Sequence, residues 1–158
     1  PAAFLARAPT VLLAGPANTG KSTLLNAWCG RPRAVVDAVP GTTRDLVAAD
    51  ALVGGWRLRL IDSAGERATD DAIERAGQEL ARVARARVDL VLWLDVPGAI
   101  PAPPDALRIA ARADEHDPAG RGLPWSARVA TAARLAALGR AVLARLGLPY
   151  HSGPNIPS

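Results

Sequence analysis

The sequence predicts a three-layer α/β domain with a mostly parallel sheet, one antiparallel edge hairpin and helices on both faces. Three observations predict it. Apolar runs at 10–14 and 88–95 lack polar alternation, as strands buried on both faces do. A glycine-rich octet, Gly15-Pro16-Ala17-Asn18-Thr19-Gly20-Lys21-Ser22, joins the first run to a helix-like segment from Ser22 to Cys29 that is stopped by Gly30 and Pro32. Strand-like runs at 46–53 and 56–61 flank Gly54-Gly55, a dipeptide suited to the positive φ angles of a tight hairpin turn.

The octet fits G-x-x-x-x-G-K-[ST]. In that pattern backbone N–H groups wrap a polyphosphate, the lysine meets its terminal oxygens and the hydroxyl ligates Mg²⁺. Strand, glycine loop and helix N-terminus together make an anion site. Of 19 lysines and arginines, Lys21 is the only lysine, which points to a need for a compact, rotatable ammonium there.

A length of 158 residues with 49% hydrophobic content suits one globular domain. The domain is expected to span 10–147, with a lead-in at 1–9 and a tail or linker at 148–158. No apolar run approaches the ~20 residues that cross a bilayer, and no signal-peptide pattern opens the chain. The expectation is a cytoplasmic protein without a membrane segment. A chain without methionine that starts at Pro1 is expected to be a piece of something longer. The single cysteine, Cys29, reads as a buried structural thiol and implies no disulfide. A net charge of +4 permits attraction to phosphate or nucleic acid. The arginines at 75, 82, 85 and 87 and at 128, 134, 140 and 145 read as solvated helix faces, and Trp28, Trp56, Trp93 and Trp125 do not alternate with them. His116 and His151 receive no role.

After the first helix, residues 31–43 have a loop composition and lead into Pro40-Gly41-Thr42-Thr43-Arg44-Asp45. The second hairpin strand ends in Asp62-Ser63-Ala64-Gly65. A carboxylate there can reach Mg²⁺ through its water shell, and the glycine N–H can reach a γ-phosphate. A helix over 72–87 is expected to turn Ile73, Gly77, Leu80 and Ala84 inward and Glu74, Gln78, Arg82 and Arg85 outward. Residues 96–106 hold four prolines, so the crossover helix after the central strand is expected to be shortened or absent. Leu107 to Ala111 is then a strand or part of a rebuilt helix. The strand is preferred because Ala111-Arg112-Ala113-Asp114 follows it, and Asp114 could accept from guanine N1–H and the exocyclic amine. A Gly/Pro-rich connection, Leu123-Pro124-Trp125-Ser126-Ala127-Arg128 and a helix over 129–146 complete the chain.

The run GPANTGKSTLLNAWCGRPRAVVDAVPGTTRD, then LIDSAG, resembles the G domain of the TrmE (MnmE)-like tRNA-modification GTPases, within the TrmE/Era/EngA group of P-loop GTPases. The likeness is continuous over residues 10–95 and includes Asp71 to Gly77, which resembles that family's E-x-E-R-x-G segment. It implies a small-GTPase-like P-loop NTPase that binds GTP or GDP with Mg²⁺ and hydrolyses GTP. By resemblance, nucleotide contacts fall to Gly15, Asn18, Thr19, Gly20, Lys21, Ser22, Thr23, Thr42, Thr43, Asp62 and Gly65. Ser22, Thr43 and Asp62 would hold Mg²⁺, and Lys21 and Gly65 the phosphates. Asn18 would help bind K⁺, Glu74 would orient the attacking water, and pairing of two G domains through the switch regions would complete the K⁺ site. Glu66 departs from the family, whose members carry an apolar residue there.

At the base end the resemblance assigns Arg112 and Asp114 to the N/T-K-x-D position, and Ser126 and Ala127 to the S-A-[KR] loop. Ala111 replaces the Asn or Thr that ties this loop to the phosphate loop. RNA or tRNA contact would need domains that do not fit in this length. Two other readings stay open: a nonhydrolysing guanine-nucleotide-binding module, motivated by residues 111–114 and the short crossover, and a P-loop ATPase or kinase, which PGTTRD and DSAG disfavour.

Overall fold

The computed structural model describes residues 6–30, 35–37, 46–63, 78, 81, 83–84, 86–115 and 122–152. Among them, seven strands form one sheet: β1 (Thr10–Ala14), β2 (Val35–Asp37), β3 (Leu46–Val53), β4 (Trp56–Asp62), β5 (Leu90–Asp95), β6 (Leu107–Ala110) and β7 (Leu123–Pro124). The spatial order is β2-β3-β4-β1-β5-β6-β7. β2–β3 and β3–β4 are antiparallel, and every other neighbouring pair is parallel. Two helices have defined bounds, α1 (Lys21–Cys29) and α2 (Ala132–Arg145).

Burial of both faces explains the apolar runs. Val11 and Leu13 of β1 join Leu92 and Leu94 of β5, Leu24 and Leu25 of α1 and Leu138, Val142 and Leu143 of α2 in one core. The intervening Leu12 and Ala14 join Ile61 and Trp93 in a second core on the opposite face, with Val83, Ala86 and Val88 packed against it. Each fully buried leucine contributes ~1.5–3 kcal/mol to this sandwich. β1 and β4 end nearly level, with Leu13 beside Asp62, while β5 runs on from Trp93, beside Ala14, to Asp95, so the octet and the end of β4 leave the same edge of the sheet.

The hairpin about Gly54-Gly55 forms as predicted, and so does β6, which pairs in parallel with β5. The connection 96–106 holds no helix, so the crossover is short, as its prolines require. Three elements differ from the sequence reading. Val35–Asp37, inside the segment read as loop, is β2, because two adjacent valines meet an open edge on β3. Leu123–Pro124, read as the start of the S-A-R loop, pairs with Ile109 and Ala110 as the outermost strand, where a missing proline N–H is harmless. α2 starts at Ala132 rather than 129, since Thr131 caps it by accepting from Arg134 N at 3.2 Å. Helical positions 78, 81, 83 and 84 lie in the predicted 72–87 segment, but Ala84 is exposed and the neighbouring Val83 packs inward. Of these two positions, 83 rather than 84 faces the second core. Ile73, Glu74, Gly77, Leu80, Arg82 and Arg85 lie outside what is described. Cys29 is half-buried, with Sγ 3.6 Å from the Asp50 carbonyl oxygen, rather than enclosed.

Candidate functional site

The octet turns sharply because three of its residues, Gly15, Asn18 and Gly20, leave the right-handed region. Gly15 has φ 134, and a Cβ there would stand 2.4 Å from the Leu94 carbonyl oxygen of β5, so only glycine fits. Asn18 has φ 60, a conformation asparagine tolerates better than most residues. The loop therefore lies flat on the sheet edge and delivers the chain to the start of α1. No side chain caps that end of the helix, so its first-turn N–H groups point into the loop.

Lys21 is 6% exposed, and its ammonium donates to the carbonyl oxygens of Gly15 at 2.8 Å and Pro16 at 2.7 Å. A buried ammonium is held by the loop it serves, and so is ready to exchange carbonyls for phosphate oxygens. Thr19 Oγ1 donates to the Pro16 carbonyl at 3.0 Å and stiffens the same turn. At the second residue of α1, Ser22 Oγ donates to Asp62 Oδ2 at 2.6 Å. Asp62 is 3% exposed at the end of β4, where Ser63 N donates to the Leu13 carbonyl and fixes the strand end beside β1. A hydroxyl and a carboxylate meeting at one point are hard oxygen donors that fit Mg²⁺. That ion takes one or two protein ligands and fills its octahedron with phosphate and water. Among the described residues no group of three or more His, Cys, Asp or Glu could hold a metal ion. Thr23, also assigned to nucleotide, is exposed on the first turn of α1.

The base end is built from the edge of the sheet. A cleft has Asn18, Thr19 and Gly20 on one wall. Its other walls are Arg112, Asp114 and Glu115, and Ser126, Ala127 and Arg128. All seven residues that the sequence assigned to these three segments thus line one cleft. Glu115 and Arg128 were not assigned. Arg128 is the last residue of the S-A-R run, and that spacing is the signal that could have found it. Arg112 has φ 53, and Glu115 N donates to the Arg112 carbonyl at 2.9 Å, closing a tight turn that presents Asp114. The Ser126 hydroxyl above all, and after it the Asp114 backbone N–H and the charges of Arg128 and Arg112, hold the Asp114 carboxyl below the usual carboxylate range, against burial, which is second only to Ser126 and acts upward. Glu115 draws both arginines, with Arg112 at 2.5 Å and Arg128 at 3.0 Å, while Arg128 stays 3.7 Å from Asp114. Asp114 is left ionised and turned to the cleft, as an acceptor for two neighbouring donors must be.

Ala111 is fully buried, and its N–H donates to the Asp95 carbonyl at 2.8 Å, so backbone rather than side chain fixes this loop to β5. Thr42, Thr43, Gly65, Glu66 and Glu74 lie outside the described residues. His151, given no role, stacks on Trp56 with ring centroids 6.4 Å apart. No helix among the described residues is long and apolar enough to cross a membrane.

Comparison with known proteins places these features. A family model described as 50S ribosome-binding GTPase matches residues 10–116. The tRNA modification GTPase MnmE of Rhizorhabdus wittichii is 49% identical over 124 residues, covering 77% of this chain and 28% of that protein. The protein of the same name from Azorhizobium caulinodans is 46% identical over 106 residues, covering 66% of this chain and 24% of its own length. The chain thus spans about a quarter of the curated relatives it matches. Among solved structures, an Era variant of Aquifex aeolicus bound to GDP·AlF4⁻ superposes with a TM-score of 0.53 at 19% identity, over 94% of this chain and 59% of that one. The cytosolic domain of the T. maritima FeoB iron transporter superposes with a TM-score of 0.50 at 17% identity, over 92% of this chain and 66% of that one. At such identities these two likenesses establish the fold alone.

Proposed function

Because the chain belongs to the 50S ribosome-binding GTPase family, we propose that it binds GTP through the Lys21 loop and the Asp114 cleft and hydrolyses it to GDP and phosphate. The observation that carries this reading is the single cleft running from Asn18, Thr19 and Gly20 of the phosphate loop to Asp114. Asp114, held ionised by Ser126, accepts from the guanine N1–H and amine, two adjacent donors that adenine lacks. Arg112 and Arg128 flank the base, and Ser126 and Ala127 support it from beneath. At the other end the Lys21 ammonium leaves the Gly15 and Pro16 carbonyls for the β- and γ-phosphate oxygens. Ser22 and Asp62, with Thr43, would hold Mg²⁺, which supplies charge neutralisation at those oxygens. Asn18, exposed at the cleft mouth, would hold K⁺, which supplies positive charge where other phosphoryl-transfer sites place an arginine worth ~10³–10⁵ in rate. Gly65 N–H binds the γ-phosphate and Glu74 orients the attacking water. Turnover is slow until two domains pair through their switch regions. The nucleotide and its chemistry are those of a cytoplasmic enzyme. RNA contact, as the relatives' names suggest for them, would be made by parts of a longer protein.

The test is phosphate release at increasing protein concentration in K⁺ and in Na⁺. The expected result is faster release in K⁺, with a rate per molecule that rises with concentration, and a Glu74→Ala variant that binds GTP but releases no phosphate. Equal rates in the two salts would remove Asn18 from the mechanism, and a rate per molecule that does not change with concentration would remove pairing. No release in either salt would leave a nonhydrolysing guanine-nucleotide module.

A further inference from the structure

Trp125 is fully buried, yet its indole N–H meets no acceptor among the described residues. Buried donors are nearly always paired, so an orphan asks for a reason beyond packing. Its neighbours supply one. The Trp125 backbone N–H donates to the Ala110 carbonyl and its carbonyl accepts from Ala113 N, both at 2.9 Å, which stitches it to the segment carrying Arg112 and Asp114. Its indole edge meets the phosphate loop from below: a Cβ added to Gly20 would stand 3.1 Å from Trp125 Nε1 and 3.1 Å from the Ala127 methyl. Ala111 and Leu24 of α1 share its core, and alanine at 111 carries no group that could reach across to the loop.

Resting on the guanine-nucleotide reading above, we infer that Trp125 is a positioning residue, a rigid strut that sets the distance between the phosphate loop and the base-reading loop. A flat ring with two side-chain torsions fixes a spacing that an alanine at 111 cannot. A nucleotide gripped at both ends is sensitive to that spacing, because a misplacement of about 1 Å can cost ~10²-fold. Each half of the site is complete without the strut, but the two are in register only with it.

Trp125→Phe keeps a ring in the core while deleting Nε1, the atom nearest Gly20, together with the unpaired donor. Affinities for GDP, pyrophosphate and guanosine are measured on the same 158-residue chain. The expected result is GDP binding weakened roughly 10-fold, with pyrophosphate and guanosine each within about 2-fold of the starting protein. Unchanged GDP affinity, or equal weakening of all three ligands, overturns the inference, since a merely structural role would loosen both halves alike. If Trp125→Phe does not fold, the indole N–H signals of a Trp28→Phe/Trp56→Phe protein take its place: only Trp93 and Trp125 then remain. One of these signals is expected to move with pyrophosphate alone and again with guanosine alone, and two unmoved signals overturn the strut. A starting protein that binds no GDP at all defeats the guanine-nucleotide reading instead.

Discussion

The two ends of the cleft are built differently. The phosphate end rests on the central strands: β1 and β4 end level with each other, Lys21 and Asp62 are almost wholly buried, and the fixing hydrogen bonds run from 2.6 to 2.8 Å. The base end hangs on β6 and a two-residue edge strand, and its arginines are open, Arg128 with 75% of its side chain exposed. Exposed ion pairs of that kind are worth ~0–1 kcal/mol each. On the proposed reading, phosphate binding is fixed by backbone shape and buried charge, and base reading by one carboxylate whose neighbours tune it.

That contrast can be broken most forcefully at Lys21. Its ammonium makes two charge-assisted bonds inside the loop and would make two to phosphate, each worth ~1.5–3 kcal/mol. Lys21→Ala is expected to weaken GTP on the order of 10²-fold or more by calorimetric titration. Binding held within threefold would show that the buried end is not the anchor. Ser126→Ala sharpens the other side and has a smaller effect. The Ser126 hydroxyl is the largest influence keeping the Asp114 carboxyl low, so the acceptor stays charged until pH falls below the ordinary aspartate value of ~3.9. Removing the hydroxyl lets the folded-state value rise. GDP affinity then begins to fall at higher pH on acidification than in the unsubstituted protein, with only a few-fold change near neutrality. Coincident acid profiles for the two proteins would remove Ser126 from the tuning of Asp114.

The same contrast governs what could be read from residues alone. Gly15 to Ser22 was legible because contiguous residues each act by type: a glycine where a Cβ would strike Leu94, a lysine, a hydroxyl. The edge elements were not. β2 and β7, three and two residues long, gain their order from pairing with β3 and β6, and no period can be counted in so few positions. In the helical segment before β5, Val83 rather than Ala84 meets the core, a choice between adjacent apolar residues that only the sheet beneath decides. Trp125 carried no signal either, since its neighbours Gly20 and Ala113 come from other parts of the chain and meet it only after folding. Arg128 stood in a readable motif and was passed over.

The central claim is that this rebuilt end still reads guanine, and that Asp114 does the reading. The most direct measurement is the affinity of the unsubstituted protein and of Asp114→Asn for GTP and for xanthosine triphosphate. The loss of a charged acceptor paired with two donors, at ~1.5–3 kcal/mol per bond, predicts a GTP preference that falls at least 10-fold in the variant and shifts toward xanthosine triphosphate. An unchanged ratio of the two affinities would contradict it.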